Sequence, residues 1–174
     1  MTVRVLIEAR PGAGKTTAAR RLVDALRRAG VPVRGFTTAE LREGGRRVGF
    51  AVEAVDGERA VLAHQRIPGP PRVGRYGVDV EAFERVALPA LEDPGRPGVV
   101  VIDELGKMEL ASARFREAVE RLLSGQAAVV ATVHVHRDPF TDALKRRFEV
   151  LRLTRDNRDL LPAKLADRLL APLR

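Results

Sequence analysis

The segment Ala9-Arg10-Pro11-Gly12-Ala13-Gly14-Lys15-Thr16 constrains this chain more than any other. It follows a short apolar run, Val3 to Glu8, and opens the stretch Lys15 to Ala29, where Ala18, Leu22, Ala25, Leu26 and Ala29 recur at helical spacing. A strand that feeds a helix through a glycine-rich turn aims the N–H groups of the turn and the positive end of the helix at one point. That point suits a phosphate: the glycines admit close backbone approach, Lys15 reaches the β- and γ-phosphates, and Thr16 offers a hydroxyl to Mg²⁺. Ala9 stands where the motif usually has glycine, which is tolerable if φ stays negative there. Ala9, Arg10, Pro11, Gly12, Ala13, Gly14, Lys15, Thr16 and Thr17 are therefore the expected nucleotide-binding stretch.

Beyond this turn, strand and helix patterns alternate. Gly30-Val31-Pro32 stops the first helix; Val33 to Ala39 and Val48 to Val55 flank the polar turn Glu43-Gly44-Gly45-Arg46, and Ala60 to Ala63 follows a turn at Asp56-Gly57, together a β-hairpin or meander. Ile67 to Gly77, rich in Pro, Gly and Arg, reads as a loop. Val80 to Leu91 has helical spacing, Val99 to Ile102 is apolar on both faces as a central parallel strand is, and Ser112 to Leu123 reads as a helix with Ser112 as N-cap. Ala127 to Val133 reads as a buried strand, Thr141 to Arg147 as a helical turn, Phe148 to Leu153 as a strand and Arg158 to Leu170 as a closing helix. The alternation implies a three-layer α/β fold, a mainly parallel sheet with a β-hairpin or meander extension. A length of 174 residues, 45% of them hydrophobic, fits a single domain spanning residues 1–174.

The run Val99-Val100-Val101-Ile102-Asp103-Glu104 ends an apolar strand in two carboxylates. Beside a phosphate-binding loop, the first takes the role of the Mg²⁺ aspartate, so Thr16 and Asp103 are the expected metal anchors. Glu104 points elsewhere along a regular strand and is free to act as the base that polarises water, which assigns catalysis to Lys15 and Glu104. Lys107 and Glu109 either line the phosphate pocket, the reading preferred here, or pair with one another; Lys107 joins Asp103 and Glu104 in the expected nucleotide site. Thr132 is read either as a sensor of the attacking water or as an ordinary strand residue. His134 and His136 share one face of an extended segment and read as loop-end surface rather than a metal pair. Arg75, Arg114, Arg155 and Arg158 are candidates for stabilising transition-state charge.

Cysteine is absent, which excludes disulfides and thiolate metal sites, and the oxygen ligands above make Mg²⁺ the metal to expect. The formal charge is +8, carried by arginine, since only Lys15, Lys107, Lys145 and Lys164 are lysines. Nucleotides satisfy that excess and so would nucleic acid, although a single Tyr and no Trp leave few stacking platforms for a polymer. With no apolar stretch long enough to span a bilayer and an N-terminus, Met1 to Val5, that enters a strand at once, the expected location is cytoplasmic.

Further segments carry a resemblance. Gly30 to Thr38, Gly44 to Phe50, Arg72 to Asp79, the run Asp103-Glu104-Leu105-Gly106-Lys107-Met108-Glu109-Leu110, and Asn157-Arg158 are similar to the small nucleoside-triphosphatase family that includes thermophile enzymes and the human cancer-related nucleoside-triphosphatase. The resemblance covers nearly the whole chain. It implies a RecA-like P-loop fold and Mg²⁺-dependent, slow, base-promiscuous hydrolysis of ATP, GTP, CTP, UTP and TTP to the diphosphate. Two alternatives stand beside it: a nucleoside or nucleotide kinase, with Ile67 to Tyr76 as a lid, and a nucleic-acid-binding module switched by NTP.

Overall fold

The computed structural model describes residues 2–173; Met1, on which the N-terminal reading above begins, lies outside the described residues, as does Arg174. The elements are β1 (Arg4–Ala9), α1 (Lys15–Arg28), β2 (Val33–Glu43), β3 (Arg46–Ala54), β4 (Arg59–His64), β5 (Arg72–Val73), β6 (Tyr76–Val78), α2 (Val80–Ala90), β7 (Val99–Leu105), α3 (Ala113–Ser124), β8 (Ala128–His134), α4 (Pro139–Arg147), β9 (Glu149–Arg152) and α5 (Leu161–Leu170). The strands of the described residues form one sheet in the order β5-β6-β4-β3-β2-β7-β8-β1-β9. From β2 to β9 every neighbouring pair is parallel, and from β2 to β5 every pair is antiparallel. No helix among the described residues is long and apolar enough to cross a membrane.

Strand β7 explains the layering. Val99 and Val101 face one core with Leu22 and Leu26 of α1 and Leu165 of α5, while Val100 and Ile102 face a second core with Phe83 of α2 and Phe115 of α3. A strand apolar on both faces thus separates two helical layers, as its composition predicts. Phe36 of β2 joins Phe83 and Phe115 in an aromatic cluster with ring centroids 5.0 to 5.8 Å apart.

Strand β2 is the junction. Its first residues, Val33 to Phe36, pair with Val99 to Ile102 of β7, whereas Phe36 to Glu43 pair with β3. The second half runs about 20 Å past the end of its parallel pairing, at roughly 3.3 Å per residue. The antiparallel extension therefore stands beyond the C-terminal end of β7, where the carboxylates lie.

Several elements exceed their sequence-based bounds. Gly44 and Gly45, both with positive φ, close a two-residue hairpin, so β2 and β3 run up to the turn itself. The region expected to be a loop, Ile67 to Gly77, contains β5 and all but the last residue of β6, because Gly74 at φ +58° turns a short hairpin that pairs with β4. Asp138 caps α4 through the N–H groups of Phe140 and Thr141, which turns the expected helical turn into a nine-residue helix.

One glycine carries the junction. Gly35 has φ +110°, and a Cβ there would lie 1.8 Å from the Val101 carbonyl oxygen of the paired strand. Gly35→Ala combines a disfavoured backbone with a clash that only strand separation relieves, so a loss of about 3 kcal/mol or more is expected in urea unfolding. A variant as stable as the parent would show that the β2–β7 approach is looser than described.

Candidate active site

The arch between β1 and α1 is built by backbone geometry. Gly12 and Gly14 adopt φ +79° and +99°, and the Ala13 N–H donates back to the Arg10 carbonyl at 3.2 Å. Ala9 keeps negative φ as the last residue of β1, so its Cβ is accommodated where the motif usually has glycine. Helices α2, α3 and α4 each start with a side-chain oxygen on a first-turn N–H, from Asp79, Ser112 and Asp138. Helix α1 starts at Gly14 with no side-chain cap and no acidic residue in its first turn. Its first N–H groups and positive end are left for an anion.

Lys15 crosses this opening. Its Nζ donates to the Ala9 carbonyl at 3.1 Å and lies 3.6 Å from Glu104 Oε2, an ion pair too long for a direct hydrogen bond. Burial pushes the Glu104 carboxyl above the ordinary carboxylate range; Lys15 opposes that shift and Asp103 adds to it. Oε2 of Glu104 is buried with no hydrogen-bond partner beyond that ion pair, while the side chain as a whole is 31% exposed and lines the cavity.

Asp103 and Glu104 depart from regular strand geometry. The pairing of β7 with β8 shifts register between Ile102 and Leu105, and the peptide joining the two acids is cis. Asp103 is 1% exposed. It accepts from Thr132 Oγ1 at 2.8 Å and, more weakly, from the N–H and Oγ1 of Thr38 at 3.4 Å. Thr132 therefore fixes the aspartate from within the core. Thr38, the last residue of the Gly30 to Thr38 segment and given no role from the sequence, arrives from β2 because that strand continues past its parallel pairing.

A cavity of about 750 Å³ is lined by Lys15, Thr38 and Glu104, but not by the buried Asp103 and Thr132. Gly12, Gly14, Lys15, Thr16 and Thr17 line it together with Glu104, Lys107 and Glu109. Lys107 is exposed and makes no ion pair with Glu109 among the described residues. Glu109 is buried; burial first, then the neighbouring Glu104, hold its carboxyl well above the ordinary range, although the N–H groups of Glu109 and Gly106 donate to it. Gly106 makes room for both acids, since a Cβ there would lie 3.0 Å from Glu109 Oε1 and 3.2 Å from Glu104 Cδ.

Arg10 and Ala13 line a second cavity on the β9 side of the loop, also of about 750 Å³ and walled by Arg152, Thr154 and Arg155. Arg158 approaches Gly14 at the start of α1, Arg114 pairs with Glu84 at 3.3 Å, and Arg75 stacks on Tyr76, so only Arg155 and Arg158 of the four candidates stand beside the loop. The expectation that His134 lies on the surface is corrected. It is 6% exposed because β8 extends one residue further alongside Ala9, and it lines the first cavity with neither ring nitrogen hydrogen-bonded. Burial, then His136, hold it below the ordinary histidine range, so it is neutral near pH 7. Among the described residues no group of three or more His, Cys, Asp or Glu could hold a metal, and the available ligands are a hydroxyl and carboxylates.

A family model described as NTPase matches residues 4–166. The nucleoside-triphosphatase THEP1 of Thermotoga petrophila is 41% identical over 162 residues, 91% of this chain and 88% of that protein. The human cancer-related nucleoside-triphosphatase is 39% identical, covering 93% and 94%. The crystal structure of THEP1 from the hyperthermophile Aquifex aeolicus superposes with a TM-score of 0.85 at 32% identity, over 96% of this chain and 99% of that one.

Glu109 makes the electrostatics testable. Its folded carboxyl is raised, so the fold favours the neutral form, and the stability tied to it is present at low pH and lost as pH rises from the unfolded value through the folded one. Glu109→Gln removes that loss. Its melting temperature relative to the parent should rise between pH 4.5 and pH 8, by about 2 °C or more. A difference that stays flat or falls with pH would mean that Glu109 is ionised without cost.

Proposed function

The chain belongs to the nucleoside-triphosphatase (NTPase) family, and from that premise we propose how its cavity performs the hydrolysis of nucleoside triphosphates to the diphosphate and phosphate. The supporting observation is the ion pair of Lys15, at the uncapped start of α1, with Glu104 in the wall of one cavity. The loop N–H groups and Lys15 hold the β- and γ-phosphates. Glu104, a partly exposed carboxyl in the cavity wall with a raised affinity for protons, orients a water against the γ-phosphorus and takes its proton. The water oxygen bonds to phosphorus, the bond to the β–γ bridging oxygen breaks, and Lys15 and the loop N–H groups stabilise the charge that gathers on the departing diphosphate.

The Thr16 hydroxyl, which lines the cavity, and the buried Asp103 carboxylate, which accepts from the lining residue Thr38, are hard oxygen donors of the kind Mg²⁺ takes. When bound, Mg²⁺ neutralises phosphate charge. Thr132 and Thr38 hold Asp103 in one orientation for that role. Hydrolysis is favoured over obligatory transfer because the Glu104 side chain is 31% exposed and lines the cavity beside Lys15, within reach of water. We take residues 1–174 as one functional unit, since the loop, the carboxylates and Thr38 come from strands of one sheet.

Two substitutions test the assignment. Lys15→Ala should fold yet lose turnover by at least about 100-fold. Glu104→Gln should bind Mg²⁺-nucleotide about as tightly as the parent while single-turnover phosphate release, with no acceptor added, slows roughly 10²- to 10⁴-fold. Parental release by either variant would remove that residue from the mechanism.

A further inference from the structure

Two of the segments noted in the sequence, Gly44 to Phe50 and Arg72 to Asp79, have no part in hydrolysis, yet the fold brings both to the wall of the same cavity. Arg47, Phe50 and Val73 line its far half together with Leu62 of β4, while Met108 faces it from beyond β7. This half is apolar where a triphosphate needs no apolar surface. It also carries a fixed cation. The Arg47 guanidinium lies 5.1 Å from the Phe50 ring centroid and 5.8 Å from that of Tyr76, and its Nε donates to the Tyr76 hydroxyl at 3.1 Å. Glu40 balances it at 3.5 Å, and Arg20 and Lys107 add two further positive groups at the margin.

In-line displacement decides which molecule this half faces, so the inference rests on the hydrolytic reading above. The activating carboxylate and the leaving diphosphate lie on opposite sides of the γ-phosphorus. Glu104 stands toward β7 and the antiparallel extension, so the nucleoside leaves the loop in the other direction, toward β9, where the second cavity lies. The apolar half therefore remains open when the triphosphate is bound.

We propose that it is a binding site for a second small molecule consisting of a planar ring and an anionic group, as in a nucleoside 5′-monophosphate. The ring lies against Phe50, Leu62 and Val73, and the anion meets Arg47 with Arg20 or Lys107. Stacking on a ring already flanked by a guanidinium, together with a charge-assisted hydrogen bond, requires both halves of the ligand.

The test is calorimetric titration of the full chain, first with ADP and Mg²⁺ to saturation, then with each of the four ribonucleoside 5′-monophosphates. At least one should bind the ADP-loaded protein saturably at one equivalent. Its nucleoside alone and ribose 5-phosphate alone should each bind at least about 10-fold more weakly. Arg47→Gln and Phe50→Leu should each weaken monophosphate binding about 10-fold or more. Failure of every monophosphate to bind beside ADP would overturn the proposal, as would displacement of ADP by the monophosphate, which would give the apolar half to the base of the substrate itself. Undiminished binding in both variants would place the ligand elsewhere and overturn it equally. Failure of the ADP titration would count against the phosphate-loop reading instead, so the two results are distinguishable.

Discussion

Three carboxyl groups and one ammonium meet where β7 ends against the α1 loop, and their charge balance is the constraint on which the rest of the structure depends. Asp103 is held by Thr132 and Thr38, Glu104 by its ion pair with Lys15, and Glu109 by backbone N–H groups that offset part of the cost of its burial. Such a cluster would be expensive in an apolar interior without these partners. An anion at α1 changes the balance by giving Lys15 a new partner. Site chemistry and fold stability therefore draw on the same few groups.

The architecture around this cluster divides the labour. Five parallel strands bring the loop, the acids and His134 to one end of the sheet, as parallel strands with crossover helices do. The antiparallel extension adds a second wall from residues that a parallel α/β unit alone lacks. It can do so because β2 belongs to both halves, and because Gly35 lets that strand approach β7 closely at the changeover.

Much of this was legible in the sequence where the signal is local. The strand–loop–helix around Lys15, the doubly apolar strand ending at Asp103, and the Ser112 cap each rest on neighbouring residues and recur in the structure close to their expected bounds. Weaker agreement follows from signals that are not local. The β5–β6 hairpin is hidden in a Pro- and Gly-rich stretch, because strands of two and three residues have too little periodicity to be read and form only against β4.

The sequence by itself determined that a phosphate-binding turn joins a buried strand to a helix, and that a second buried strand delivers acids. Those facts follow from residue size, polarity and backbone freedom over a few positions. Only the tertiary structure decided which residues face one another. Thr132 turned inward to Asp103, His134 became a buried ring with neither nitrogen hydrogen-bonded, and Arg47, Phe50 and Val73 came to share a cavity with Lys15. These outcomes depend on strand order and register between segments far apart in the chain, and no local pattern encodes the side of a sheet on which a distant strand will pair.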